Sequence, residues 1–256
     1  MGDEVRIRLA RDRADIDSCV LLQRAVWGLG DLEITSAIQM IATTHAGGIV
    51  QIAESDSGQA LGFAYAFPAL RGGVAHLHSD MLAVLPEYQK RGLGARLKWA
   101  QREEALKRAI SLITWTYDPL QARNANLNLR RLGAIAPEFF ENFYGLTSAS
   151  LHHGLPTDRL VAEWWLKSKR VETLLANGVK PSFQALAAIS VPAEIYDWRA
   201  KPETRSQAQA VQDRNREGFL KAFAGGFAVL GYERDAQGNG RFLLGRWEEE
   251  WAYAGS

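Results

Sequence analysis

A predicted strand runs directly into a glycine-containing turn and then into a predicted helix. This succession constrains the fold more than any other feature of the chain. The strand covers residues 74–85 and ends at Pro86. From Leu93 onward the apolar residues recur with a helical period, to about residue 108. Gly92 and Gly94 lie where the turn meets the helix, and each lacks the Cβ atom that would keep a ligand away from the backbone.

The start of this helix has the properties of an anion-binding site. The first amides of a helix have no acceptor within it, and the helix dipole adds partial positive charge at the same end. Basic residues surround the turn, namely Lys90, Arg91, Arg96 and Lys98. We therefore predict a phosphate or pyrophosphate ligand. A Walker loop is excluded because no Gly-Lys-Ser/Thr follows, and Leu97 stands where the Rossmann pattern requires its third glycine.

The order of the predicted elements favours a mixed sheet with helices on both faces. Three strands joined by short turns predict an antiparallel part, and a later strand–helix–strand crossover predicts a parallel pair. The predicted strands cover residues 5–9, 49–53, 60–67, 74–85, 112–117, 159–166, 185–191, 227–233 and 241–247. The predicted helices cover residues 32–44, 93–108, 124–132, 169–176 and 204–223, and a further helix follows Asp15 as its N-cap.

Composition is that of an ordinary globular protein and excludes several classes of function. The 256 residues are 47% hydrophobic and 23% charged, which argues against disorder. A formal net charge of +1 provides no basic field, so no nucleic-acid partner is predicted. The single cysteine, Cys19, excludes an intramolecular disulfide framework and a Cys-rich zinc site. Short apolar runs and an N-terminus unlike a signal peptide predict no membrane partner and a cytoplasmic location.

The turn also resembles a specific motif. Residues 89–94 read Gln-Lys-Arg-Gly-Leu-Gly and match the Q/R-x-x-G-x-G/A motif of the GNAT (GCN5-related N-acetyltransferase) superfamily. Residues 82–84 and 86–88 look like that family's fourth strand and the turn after it, and residues 124–133 resemble the helix after its fifth strand. In element order the resemblance covers about residues 5–145. Residues 118–125 also resemble a poorly characterised branch of acetyltransferases with a longer C-terminal half.

The resemblance implies a fold class and a domain organisation. The fold class is α/β (α+β), with a GNAT-like mixed, mostly antiparallel sheet, splayed central strands and flanking helices. Residues 1–150 would form the acyl-CoA-binding domain, and residues 151–256 would form a C-terminal α/β extension packed on it.

The resemblance implies a cosubstrate and its contacts as well. Acetyl-CoA or another acyl-CoA would bind without a metal ion. Its pantetheine would pair with the backbone at Leu82 and Val84, and its pyrophosphate would lie on the amides of residues 91–96. Asn124 is explained equally well as a helix cap or as a cofactor contact. The predicted cofactor-binding residues are Leu82, Ala83, Val84, Gln89, Lys90, Arg91, Gly92, Leu93, Gly94, Ala95, Arg96 and Asn124.

The implied reaction is transfer of an acyl group, most simply acetyl, to a small-molecule or peptide amine. A homodimer is compatible with this interpretation. The alternative is a module that keeps the fold and binds coenzyme A without turnover. Two features keep the alternative open. The sequence offers no clear carboxylate base, and Leu129 occupies the position of the family's usual leaving-group tyrosine.

Attack on a thioester requires a base that takes the proton of the amine. The family often supplies a base on its fourth strand, and counting back along that strand gives His78. His78 shares the strand face of Leu82 and Val84 if no bulge intervenes. His76 and Asp80 have the same parity and remain alternatives.

Two tyrosines, Tyr117 and Tyr144, are candidates to replace the usual acid, and the alternative is that the thiolate leaves without one. Tyr144 and His78 are the predicted catalytic residues. The pair His152 and His153 is not predicted to bind metal, because adjacent residues of a strand face opposite ways.

Overall fold

The computed structural model describes residues 5–145, 154–178 and 182–247, and these fall into two compact units. Unit 1 contains the described residues up to Thr114, and unit 2 contains those from Trp115 onward. The division therefore lies within a strand, β5 (Leu112–Tyr117). The predicted boundary near residue 150 and the pair His152 and His153 lie outside the described residues. The assignment of domains to residues 1–150 and 151–256 stays a prediction.

Unit 1 is a mixed sheet with helices on both faces. In chain order its elements are β1 (Arg6–Leu9), α1 (Arg13–Trp27), α2 (Ala37–His45), β2 (Ile49–Glu54), β3 (Ala60–Arg71), β4 (Val74–Val84), a 3₁₀ turn (Pro86–Tyr88), α3 (Leu93–Lys107) and the start of β5. Strands β1 to β4 pair antiparallel in sequence order, and β4 pairs parallel with β5. This confirms the predicted antiparallel part and parallel pair.

The two faces of this sheet bury different side chains. Met40 of α2 and the side chains of α1 pack on Phe63 and Tyr65 of β3. Leu93 and Leu97 of α3 pack on the opposite face. Because side chains alternate along a strand, β4 contributes to both cores. Met81 and Ala83 face α1 and α2, whereas Leu82 and Val84 face α3.

The helix starts in unit 1 differ from the prediction for a local reason. Asp12, and not Asp15, caps α1 by accepting a hydrogen bond from the amide of Asp15. The carboxylate of Asp15 is instead bound to the guanidinium of Arg8, 2.6 Å away. Helix α2 begins at Ala37 rather than at residue 32, because Ser36 caps it through the amide of Gln39.

Unit 2 continues with helices and an antiparallel sheet. Its further elements are α4 (Ala122–Ala125) with a following π-helical turn (Asn126–Arg131), β6 (Ile135–Phe140), β7 (Arg159–Trp165), α5 (Lys169–Asn177), β8 (Ala187–Val191), α6 (Ile195–Ala200), a 3₁₀ turn (Pro202–Thr204), α7 (Arg205–Ala224), β9 (Ala228–Arg234) and β10 (Gly240–Gly245). Strand β6 pairs antiparallel with both β7 and β9, and β10 pairs antiparallel with both β9 and β8. Strand β6 and helix α6 are absent from the sequence prediction. Strand β6 contains Pro137, where its register with β7 shifts, so the sequence pattern did not indicate a strand.

Candidate active site

The turn before α3 leaves a helix start without a side-chain cap. Gly92 is the N-cap residue, with φ +81°, and it has no side chain to accept from the helix. The first bond that closes the helix runs from the amide of Arg96 to the carbonyl of Gly92, 3.1 Å away. The amides of Leu93, Gly94 and Ala95 precede that bond, so the helix supplies no acceptor for them. These three amides and the helix dipole have the properties expected of an anion-binding site, and the binding of an anion there stays a prediction.

Gly94 is a glycine that the fold does not require. A Cβ at this position would lie 3.7 Å from Cδ2 of Leu82, which is ordinary van der Waals distance. Gly92 is different, because its positive φ favours glycine whatever the surrounding space. Gly94 is also partly exposed and carries no side chain, so a ligand can approach the backbone beside the uncapped amides.

The four predicted cations divide into two pairs. Lys90 is exposed, and the guanidinium of Arg91 lies 5.3 Å from the ring centroid of Tyr88. Both side chains remain beside the turn. Arg96 and Lys98 do not contribute as expected. The Arg96 guanidinium donates to the carbonyl of Val5, and Lys98 lies on the buried face of α3.

Burial explains why Lys98 does not contribute to the turn as predicted. Its side chain is 2% exposed, its Nζ donates to Oε1 of Gln101 over 2.7 Å, and burial lowers its pKa well below the usual value. The amide of Arg96 is also used within the helix. Thus the amides offered at the helix start end at Ala95 rather than at Arg96.

Strand β4 loses its second neighbour halfway along its length. Its ladder with β5 involves only Leu77 and His78 among the described residues. This confirms the predicted splay of the central strands. On the other side of β4, the amide of Leu85 donates to the carbonyl of Leu61 in line with β3.

In an antiparallel pair, the backbone amides and carbonyls of successive residues point alternately toward the partner strand and away from it. The bond at Leu85 therefore sets the direction of these groups along the end of β4. The backbone groups of Ala83 face β3, and those of Leu82 and Val84 face away from it. The carbonyl of Val84 accepts a hydrogen bond from Nε2 of Gln89, 2.9 Å away. Leu82 and the amide of Val84 thus offer the backbone groups that a pantetheine requires. Ala83 offers none on that side, and its methyl group is buried in the core with α1 and α2.

A bulge interrupts β4 between its two functional stretches. Tyr65 of β3 pairs with Met81, but Phe67 pairs with His78, so β4 has one residue more than β3 in this interval. The parity assumption in the sequence prediction is therefore wrong. His78 shares the face of Met81 and Ala83 and not that of Leu82 and Val84.

His78 is held by the sheet around it. Its Nδ1 lies 3.0 Å from Oγ1 of Thr114, and its ring centroid lies 5.1 Å from that of Phe67. Burial, with smaller contributions from His76 and Lys98, lowers the pKa of His78 to about 4. The ring is therefore neutral at physiological pH. His76 is 5% exposed, and its Nδ1 lies 3.0 Å from the carbonyl oxygen of Val74.

Asp80, within the bulge, faces a cavity of about 480 Å³. The cavity is lined by Thr35, Gln39, Thr43, Ala46, Tyr65, Phe67, Pro68 and Asp80. The Asp80 carboxylate opens onto this space, and the protein atoms around it raise its pKa above the usual value. Within the described part of the chain, the Asp80 side chain makes no hydrogen bond or ion pair. A carboxylate with a raised pKa beside a cavity is a candidate for proton transfer.

The region that contains the turn and the cavity matches a known protein family. Residues 21–134 match the acetyltransferase (GNAT) family, and this range contains the turn, the splayed strand and the cavity. Over this part of the chain the protein is similar to the GNAT family. The predicted resemblance and fold class are confirmed.

Solved structures support the GNAT fold. The ribosomal-protein-S18-alanine N-acetyltransferase of Escherichia coli aligns with a TM-score of 0.51 at 16% identity, over 64% of this chain and 96% of its own. A protein of Salmonella typhimurium, assigned as an acetyltransferase and solved with its cofactor acetyl-CoA, aligns with a TM-score of 0.51 at 19% identity, over 64% and 95% of the two chains. An N-acetyltransferase of Staphylococcus aureus aligns with a TM-score of 0.51 at 15% identity, over 64% and 99%. A search of curated proteins gives no significant match.

Several residues of the GNAT prediction belong to unit 2. Tyr144 is 49% exposed, and its hydroxyl lies 2.8 Å from Oγ1 of Thr116. Tyr117 is 3% exposed, and burial raises its pKa far above the usual value, so it is a poor proton donor. Asn124 is an exposed residue within α4, and its amide donates to the carbonyl of Gln121. The roles of Tyr144 and Asn124 stay predictions.

The described residues also bear on metal binding and on membrane insertion. No group of three or more His, Cys, Asp or Glu side chains in the described ranges is placed to hold a metal ion. Among the helices that the structure describes, none is long and apolar enough to cross a membrane.

Proposed function

We propose that this protein transfers an acetyl or another short acyl group from coenzyme A to an amine. One observation carries the proposal. An uncapped helix start, with the partly exposed Gly94 in its first turn, follows directly on a strand that has lost its second neighbour. The first feature suits a pyrophosphate and the second suits the amides of a pantetheine.

The turn would hold the phosphates of coenzyme A through the amides of Leu93, Gly94 and Ala95. Lys90 and Arg91 would add positive charge from the solvent side, where both are exposed. Gln89 would position the turn through its bond to Val84 and would not itself need to touch the ligand. Leu82 and the amide of Val84 would pair with the pantetheine.

Asp80 is the group best placed to accept the proton of the amine. As the nitrogen attacks the thioester carbonyl, the new C–N bond forms and the nitrogen loses a proton to the carboxylate. The C–S bond then breaks, and the thiolate leaves with its electron pair. Among the described residues, the carboxylate has no partner that would hold it away from an incoming amine, and its raised pKa makes it a stronger base than an ordinary aspartate.

His78, the residue predicted from the sequence, is the competing base. Its ring is bound to Thr114 and packed on Phe67, and its lowered pKa weakens it as a base. Tyr144 is proposed as the acid for the leaving thiolate.

The test compares Asp80→Asn with His78→Gln in an assay for thiol release from acetyl-CoA and a panel of amines. Asp80→Asn should lower kcat by a general-base factor of about 10²–10⁴ and leave coenzyme A affinity unchanged. His78→Gln should retain most of the rate. Glu103→Gln, which neutralises an exposed carboxylate on α3, is the charge-matched control. A larger loss of kcat in His78→Gln than in Asp80→Asn would assign the base to His78.

The alternative is a coenzyme A-binding module without turnover. Leu129, at the position of the usual acid, is 1% exposed and cannot supply a proton. Calorimetric binding of coenzyme A together with no thiol release from any amine, in the wild type and at every pH, would favour the module.

A further inference from the structure

The cavity beside Asp80 combines a single carboxylate with an apolar wall. Tyr65 and Phe67 stand on this wall with their ring centroids 6.3 Å apart, and Pro68 and Ala46 extend it. A volume of about 480 Å³ lies within the range of small-molecule sites. The apolar wall suits the body of a ligand, and the carboxylate suits one charged end.

Three other polar side chains of the wall, those of Gln39, Thr43 and Tyr65, are paired with one another. The hydroxyl of Tyr65 lies 2.9 Å from Oγ1 of Thr43, and Nε2 of Gln39 donates to the same oxygen over 3.4 Å. These groups do not require a ligand to satisfy them. The Asp80 carboxylate, by contrast, has no such partner in the described ranges.

The lining also has a definite charge. Of the eight described residues that line the cavity, Asp80 is acidic and none is basic. An ammonium group would gain an ion pair with Asp80. A carboxylate or phosphate on the same ligand would enter a negatively charged space without a cation to pair with, which is unfavourable.

We infer that the acceptor is a small primary amine with an aromatic or aliphatic body and without a carboxylate or phosphate. The inference rests on the proposed function, since it names the substrate class of the same site. Asp80 pairs with the ammonium, and Phe67 and Pro68 contact the body of the ligand. Free amino acids are disfavoured because each carries a carboxylate next to its amine.

A pair of probes differing by one carboxylate tests this directly. Phenethylamine and phenylalanine are titrated calorimetrically into the protein in the presence of coenzyme A, and both are assayed as acceptors of acetyl-CoA. Phenethylamine should exceed phenylalanine by about tenfold or more in affinity, as expected for one unpaired charge in a confined site. Asp80→Asn should abolish that difference, Asp80→Glu should retain it, and Glu103→Gln should leave it unchanged.

A gain-of-function variant tests the charge of the wall. Gln39 is exposed at the edge of the cavity, so Gln39→Arg adds a cation without burying it. The variant should shift the preference toward phenylalanine. Equal or stronger binding of phenylalanine to the wild type would overturn the inference, as would a peptide N-terminus that binds when neither small probe does.

The outcomes separate the two proposals. Coenzyme A binding without binding of phenethylamine would overturn the inference and leave the proposed function standing. Binding of phenethylamine through Asp80, with no detectable binding of coenzyme A, would overturn the proposed function instead.

Discussion

The side-chain amide of Gln89 donates a hydrogen bond to the carbonyl oxygen of Val84, and the nitrogen and oxygen are 2.9 Å apart. This bond ties the first residue of the turn to the last residue of β4. It therefore links the two parts of the proposed coenzyme A site, the phosphate-binding turn and the pantetheine-binding strand.

Removing this link should loosen the turn without disturbing the fold. A hydrogen bond contributes about 0.5–1.5 kcal/mol net, so Gln89→Ala should weaken coenzyme A binding by roughly three- to tenfold. Isothermal titration calorimetry measures the change. Gln237→Ala removes an exposed glutamine from the turn after β9 and is the matched control. Unchanged affinity in Gln89→Ala would show that Gln89 does not position the turn.

The sequence contained most of the local information about this turn. Gly92, Gly94 and the helical period after them lie within a few residues of one another, so their combination predicts a strand, a turn and a helix start. The link from Gln89 to Val84 was not predicted, because a side-chain bond depends on the detailed path of the turn.

Coenzyme A binding should weaken as salt is added. Lys90 and Arg91 are exposed beside the turn, and contacts between exposed charges and phosphates are screened at high ionic strength. Affinity in the wild type should fall steadily from about 0.05 to 0.5 M salt. The double variant Lys90→Gln with Arg91→Gln should bind less tightly and show a shallower slope. A wild-type affinity that does not change with salt would contradict a phosphate contact by these side chains.

Asp80 should lower the stability of the folded protein at pH 7, although it serves the reaction. Its pKa is raised in the folded protein, so folding disfavours its charged form at any pH above its usual pKa. Asp80→Asn should therefore raise Tm at pH 7 while it lowers turnover. The gain should disappear as the pH falls below about 4, where the wild-type carboxyl is protonated in both states. A Tm at pH 7 that is lower in Asp80→Asn than in the wild type would contradict this account.

The bulge that directs Asp80 shows a limit of prediction from sequence. The sequence of one strand predicts which residues alternate between its two faces. A bulge with one extra residue can be recognised only when the pairing with the neighbouring strand is known. The pairing of Phe67 with His78 supplies that information. The cavity has the same limitation, because Thr35, Tyr65 and Asp80 are distant in sequence and converge only in the fold.

A buried ion pair should stabilise unit 2. Asp118, which follows β5, accepts from Nη1 of Arg199 over 2.8 Å and from the amide of Leu120 over 2.8 Å. Asp118→Ala removes this carboxylate from beside a buried guanidinium and should lower the free energy of unfolding by about 3–5 kcal/mol. Chemical denaturation measures this loss. The double variant Asp118→Ala with Arg199→Met should recover part of it, whereas a loss under about 1 kcal/mol in the single variant would contradict a stabilising pair.

The central claim is that the start of α3 binds the phosphates of coenzyme A, and Gly94→Val tests it most directly. A Cβ at Gly94 meets only ordinary contacts, so the variant should fold, with circular dichroism as the check. Glu103→Val controls for the cost of a β-branched residue in the same helix. Calorimetry should show coenzyme A binding reduced by about a hundredfold or more in Gly94→Val, because its side chain fills the space that the phosphates require, and unchanged in Glu103→Val. Wild-type affinity in a folded Gly94→Val protein would contradict the claim.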